Sequence, residues 1–133
     1  MDNNKEKRVK RKVIHQLHLH LVFVTKYRKK VFSAQMYESM KYYFDHVCKK
    51  FGCNLIECNG EDYHVHLLIV PLPHTMPSRL VNSIKGVSSR KLKSEYPELK
   101  QFYWKSGLWS PSYFIASCGG AQLSIIKEYI QNQ

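Results

Sequence analysis

Acid is scarce in this chain: ten Asp+Glu stand against 21 Lys+Arg over 133 residues, giving a net charge of +11 at pH 7 and an isoelectric point near 9.6. So one-sided a balance argues against cationic partners and for polyanions, nucleic acid ahead of a membrane surface. Long apolar runs are missing too. The longest, Leu67 to Leu72, is too short to span a bilayer. The basic stretch from Lys5 to Lys12 leads into neither a long apolar segment nor a small-residue cleavage site, so it does not read as a secretory signal, and cytoplasmic residence is expected. The arm it forms, residues 1–12, has the composition of solvated chain as much as of a phosphate-contacting segment. Cys48, Cys53, Cys58 and Cys118 include no pair at two-residue spacing, which leaves the usual zinc pattern and an oxidising compartment without support. They are expected to be structural. No internal repeat or low-complexity linker interrupts the chain, and a single domain spanning residues 1–133 is expected.

What is present is hydrophobic periodicity of two kinds. Residues 13–25 alternate, with Leu17, Leu19 and Leu21 against His18 and His20, and predict a strand with one apolar face and one bearing histidines. Ser33 is placed to cap a helix whose Met36, Met40, Phe44, Val47 and Phe51 recur at helical spacing up to Gly52. Two strands, Cys53–Cys58 and Tyr63–Leu72, then read as a hairpin closed by Asn59-Gly60-Glu61-Asp62. A second helix is predicted from Pro77, with Leu80, Ile84, Val87 and Leu92 inward and Lys85, Arg90, Lys91 and Lys93 outward. Residues 101–117 are aromatic and extended, ending in a strand around Tyr113-Phe114-Ile115, and residues 121–133 form a terminal helix after Gly119-Gly120. The order β-α-β-β-α-β predicts an α+β, ferredoxin-like (RRM-like) antiparallel sheet with helices on one face, plus the C-terminal helix.

Within that frame two pairs of side chains carry chemistry. His64 and His66, two apart in a strand, share one face. Tyr129 and Gln133, four apart on a helix, also point one way. Two neutral imidazoles and the Gln133 carbonyl would leave a divalent cation open to substrate oxygens, and Tyr129 would serve as a nucleophile toward phosphorus. Glu61 or Asp62 could orient a histidine from behind. Each element also has a plainer reading: structural histidines, a packing tyrosine, a solvated acidic turn. Lys26, Arg28, Lys85, Arg90 and Lys91 are candidate phosphate contacts. Trp104, Trp109, Tyr103 and Tyr113 are more readily packing residues than stacking platforms.

The histidine-aliphatic-histidine strand, the segment His20-Leu21-Val22-Phe23-Val24-Thr25-Lys26-Tyr27-Arg28, the stretch Leu108-Trp109-Ser110-Pro111-Ser112-Tyr113-Phe114 and the ending Tyr129-Ile130-Gln131-Asn132-Gln133 together resemble the single-tyrosine HUH transposases of the insertion-sequence 200/605 family. The likeness spans nearly the whole chain. It implies a single-stranded DNA transposase that recognises hairpins near the element's ends and dimerises through its sheets. It further implies His64, His66 and Gln133 as ligands of magnesium or manganese. Tyr129 would be the nucleophile, giving a 5′-phosphotyrosine and a free 3′-OH with no nucleotide cofactor, from a helix that in the family can serve the partner subunit. Relatives commonly continue past the glutamine; here Gln133 is the last residue, and the expectation is either that its α-carboxylate competes with or assists the side-chain amide at the metal, or that fraying weakens the site unless DNA is bound. Two rivals remain: a non-catalytic RNA- or single-stranded-DNA-binding module, which lacks the aromatic RNP pattern, and a metallonuclease in which water attacks and Tyr129 packs.

Overall fold

The computed structural model describes residues 17–61, 63–103 and 107–119. In chain order they form β1 (Leu17–Thr25), α1 (Ala34–Lys50), β2 (Asn54–Glu61), β3 (His64–Val70), α2 (Pro77–Glu95) and β4 (Trp109–Gly119), with short 3-10 turns at Lys26–Arg28 and Pro97–Gln101. The strands make one antiparallel sheet in the order β2-β3-β1-β4, the ferredoxin-like arrangement expected from the sequence. The basic arm (residues 1–12) and the terminal helix (residues 121–133) lie outside the described residues.

Alternation on the strands decides which face is covered. Leu19, Leu21 and Phe23 of β1 and Val65, Leu67 and Ile69 of β3 are buried in one core with Met36, Met40, Phe44 and Val47 of α1 and Leu80, Val81, Ile84 and Leu92 of α2. The helices also pack on each other. Phe23 anchors the centre, edge-on to Phe44 at 6.2 Å and tilted against Trp109 at 5.7 Å between ring centroids. The boundaries of α1 follow their chemistry. Ser33 Oγ accepts from the Met36 N–H at 3.2 Å, and Gly52 takes φ +73° just past the last turn. Pro77 opens α2, where its missing N–H costs nothing. Because both helices sit on one side, the other face of the sheet presents His18 and His20, His64 and His66, and the side chains of Glu57, Asn59 and Glu61.

Three expectations need correction. The Asn59-Gly60 pair is not the hairpin turn: β2 runs through it to Glu61, which pairs with His64. Gly60 is required for close approach rather than for a left-handed backbone, since a Cβ there would be driven into the ring of Tyr37 on α1. Gly60→Ala is therefore expected to lower unfolding free energy by about 1–3 kcal/mol in denaturant titrations, the scale of overpacking. In a Tyr37→Ala background the cost should shrink. Second, residues 101–103 are not extended. Gln101 closes a 3-10 turn and Tyr103 is buried, its hydroxyl donating to the Lys26 carbonyl at 3.1 Å. The last strand instead runs from Trp109 through Pro111, which an edge strand tolerates. Third, Lys85 does not point outward: its amine donates to the carbonyls of Ser110 at 2.6 Å and Pro111 at 3.3 Å and lies 5.4 Å from the Tyr113 ring centroid. Partial burial accordingly lowers its pKa.

The cysteines fit the structural reading where they are described. Cys48 and Cys53 are buried and Cys58 is half-buried, all three unbridged, and burial pushes the Cys48 and Cys58 thiols up to about 12.

Candidate active site

β3 delivers His64 and His66 to the face opposite the helices because Val65 and Leu67, between and beside them, are fully buried beneath. The two imidazole centroids are 5.1 Å apart with planes at 48°. Across the sheet, His66 pairs with Val22 and Asn59, and His64 with Val24 and Glu61. Burial, then the neighbouring His64, lowers the pKa of His66, with Glu61 acting the other way. His66 is thus held neutral, with a ring nitrogen lone pair available to a ligand.

His20 of β1 stands edge-on to His66 at 6.1 Å. It is 4% exposed, and neither ring nitrogen has a hydrogen-bond partner among the described residues. Its pKa falls to about 4, first through burial and then through His66, opposed by Glu57. A histidine whose pKa drops on folding takes up its proton more readily in the unfolded chain. Stability is therefore expected to rise with pH between about 4 and 6.5 and to be lost on acidification through that window, by up to about 3 kcal/mol. Thermal melts of the metal-free protein at pH 7 and pH 4.5 measure this, and the difference should shrink in His20→Gln.

His66 lines two clefts of opposite character. The one toward β2, about 160 Å³, is walled by His20, His66, Glu57, Asn59 and Glu61. The other, about 380 Å³, is walled by His64, His66, Tyr63, Arg28, Ser112 and Phe114, with Val22 and Val24 as its floor. Arg28 reaches it from an unusual backbone. Tyr27 and Arg28 both have positive φ, 64° and 51°, a conformation costing roughly 1–2 kcal/mol per residue. Neighbouring bonds hold this turn: Lys26 N–H donates to the Leu108 carbonyl at 2.7 Å, and Thr25 Oγ1 donates to the Lys29 carbonyl at 2.9 Å. The guanidinium then lies 6.0 Å from the centroid of Tyr63, whose ring meets His64 at 5.2 Å. Strain of this kind concentrates at functional sites.

Of the residues singled out from sequence, His64, His66, Glu61 and Arg28 come together around these clefts. Asp62, Tyr129, Gln133 and Trp104 lie outside the described residues. Arg90 and Lys91 are exposed on α2, and Arg90 shares a shallow basic hollow with Lys85, Lys93 and Gly107. Lys26 belongs to that basic side, where with Lys100 it lowers the pKa of Lys93 after burial has done so. Tyr103 and Trp109 are core residues, the latter's indole N–H donating to Ser88 Oγ at 2.9 Å. His20, Glu57, Asn59 and Tyr63 were not picked out as site residues. Strand parity on β1 already put His20 on the histidine face, whereas reading Asn59-Gly60 as a turn hid the parity of β2.

Among the described residues no group of three or more His, Cys, Asp or Glu is placed to hold a metal ion. The neighbouring imidazoles of His64 and His66 nevertheless suit a divalent cation that takes a further protein donor from elsewhere in the chain. No helix among the described residues is long and apolar enough to cross a membrane.

The fold is a four-stranded sheet backed by two helices, with the paired histidines on the face opposite them, and comparison with known proteins supplies the class. Residues 13–133 match the family described as "Transposase IS200 like". The chain is 31% identical over 120 residues to the ISDra2 transposase TnpA of Deinococcus radiodurans, covering 90% of this chain and 86% of that protein. It is 25% identical over 114 residues to the transposase for insertion sequence element IS200 of Salmonella typhimurium, covering 86% and 74%. A crystal structure of a Deinococcus radiodurans R1 protein described as a transposase superposes with a TM-score of 0.73 at 31% identity over 90% of this chain and 92% of that one. A REP-associated tyrosine transposase bound to a REP hairpin shares the fold at a TM-score of 0.52 and 13% identity, over 78% of this chain and 56% of that one. The chain belongs to the IS200-like transposase family and is an enzyme of the transposase type.

Proposed function

We propose that this transposase cuts and rejoins single-stranded DNA by metal-assisted transesterification, with Tyr129 as the nucleophile, in excision and integration of an insertion sequence. The observation that carries the reading is the His64/His66 pair, on the sheet face opposite the helices, with clefts on either side of His66. Magnesium or manganese held by His64, His66 and the Gln133 carbonyl would neutralise charge on the attacked phosphate. The chain's own residues do the rest. His66 stays unprotonated at neutral pH, and Glu61, with Asp62, biases the orientation of the pair. Arg28 faces the phosphate from the other wall of the larger cleft. The Tyr129 oxygen bonds to phosphorus, the phosphorus–O3′ bond breaks, the phenolic proton is released and the departing 3′ oxygen takes one up. The products are a 5′-phosphotyrosine and a free 3′-OH. Because the ester keeps the phosphodiester bond energy, strand transfer needs no nucleotide cofactor.

Lys26, Arg90 and Lys91 hold phosphates of a DNA hairpin at the element's ends; Lys85, tied to two carbonyls, contributes less. The enzyme works in the cytoplasm as a homodimer. β4, an edge strand with Tyr113 and Ile115 more than a third exposed, offers a surface for a second copy, and the tyrosine helix can act in trans. The test is incubation with hairpin-bearing single-stranded DNA and manganese: a covalent adduct that survives denaturation is expected, and none with chelator. Failure to form an adduct under any divalent cation would sink the reading.

A further inference from the structure

The two clefts beside His66 differ in what they accept. The larger one has a guanidinium, aromatic rings and a hydroxyl, groups that suit phosphate and sugar. The smaller one has two carboxylates, Glu57 and Glu61, which repel phosphate, together with the amide of Asn59 and the buried ring of His20. Among the described residues no three acidic, histidine or cysteine side chains of this cleft are placed together to hold a metal. His20 supplies an independent sign of a ligand: 96% removed from solvent, it lines the cleft with both nitrogens unpartnered among the described residues. Buried polar atoms are rarely left so unless something external satisfies them. At about 160 Å³ the cleft is on the scale of cavities that take up one aromatic ring, about 150 Å³ for benzene.

We propose that this cleft is a nucleobase pocket, holding an unpaired base next to the cleaved phosphate and selecting a base with an exocyclic amino group over thymine. The proposal rests on the single-stranded DNA reading above. Carboxylates only accept hydrogen bonds, and an amide both donates and accepts. Cytosine N4 and adenine N6 donate to such groups, and Glu-to-cytosine and Asn-to-adenine are favoured pairings. Thymine would instead turn carbonyl oxygens toward Glu57 and Glu61. Asn59 and Glu61 sit two apart on β2, on the strand face that also carries His66 on β3, so the pocket is built into the sheet beside the metal-ligand position.

Oligodeoxycytidine and oligodeoxythymidine of equal length, about twelve nucleotides, present every register and are the probes. Fluorescence anisotropy with the full chain, at fixed salt and with chelator so that nothing is cut, should show the cytidine strand bound about tenfold more tightly, the lower range of discrimination by one good base contact. Asn59→Ala and Glu57→Gln should bring that ratio toward one. The ratio is the readout, because removing a negative charge raises affinity for any polyanion. Both variants alter partly or fully exposed positions and should melt like the parent. Equal binding of both strands by the parent, or variants that shift both affinities in step with the ratio preserved, overturns the pocket. A preserved cytidine preference with no covalent adduct on hairpin DNA would leave the pocket standing and remove the transesterase reading.

Discussion

Tyr129→Phe is expected to yield no covalent adduct and to lose cleavage of hairpin-bearing single-stranded DNA by at least roughly 10⁴-fold, the scale on which removing a covalent nucleophile acts. Phenylalanine keeps the ring and whatever packing the ring provides. It removes only the oxygen that bonds to phosphorus, so hairpin affinity should change by no more than about twofold, within the range of a neutral surface substitution. Denaturing gels read the adduct and anisotropy reads binding. The combination separates the competing chemistries. An adduct that persists in the variant moves the nucleophile to another residue. Cleavage by the parent without any adduct makes the enzyme hydrolytic, with water attacking and Tyr129 reduced to packing. Hairpin binding without cleavage or adduct, whatever cation is supplied, leaves only a binding module.

The second large effect is expected at His66. His66→Ala should lower manganese-supported cleavage by roughly 10³-fold and weaken manganese binding, followed by the ion's paramagnetic resonance. His66 rather than His64 is the sharper probe because it is packed against His20 and walls both clefts. Its loss leaves His64 as the one imidazole of the pair, and one neutral nitrogen donor is too few for a site of this kind. If manganese binds His66→Ala as tightly as the parent, the pair's role in metal ligation fails and the histidines act on the DNA directly.

Much of this architecture is written in local pattern. The α1 stripe from Met36 to Val47, its Ser33 cap and Gly52 stop, and the parity that puts His64 and His66 on one face all follow from spacing, because amphipathic periodicity and burial agree there. Where the reading went astray, tertiary contact overruled a local preference. Asn59-Gly60 has the chemistry of a two-residue turn. Yet α1 passes so close to β2 that Gly60 is needed under Tyr37, and the strand runs on three residues past Cys58 to Glu61. Lys85 has a helical position that looks solvent-facing, but the Ser110 and Pro111 carbonyls of the β4 edge lie within its reach. The site's second wall was the least legible part. Asn59 pairs with His66 and Glu57 joins them on the same sheet face only because β2 shifts register against β3 between Leu55 and Glu57, an irregularity that alternation along one strand does not reveal. Likewise, nothing in Tyr27-Arg28 as residue types announces two successive left-handed residues; that turn is imposed by the bonds to Leu108, Lys29 and Tyr103 around it.

The unlike walls on either side of His66 give the sheet a sense of direction. A single strand of DNA is itself polar, and its phosphates and bases alternate in a fixed handed order along the chain. Laid across β3 with a phosphate toward Arg28 and the adjoining base toward Glu57 and Asn59, it fits; reversed, it would set phosphate against carboxylate and a base edge against guanidinium. On the proposed chemistry the face opposite the helices would act as a one-way ramp, setting which end of the cut strand stays on the protein and which departs before any longer sequence is read.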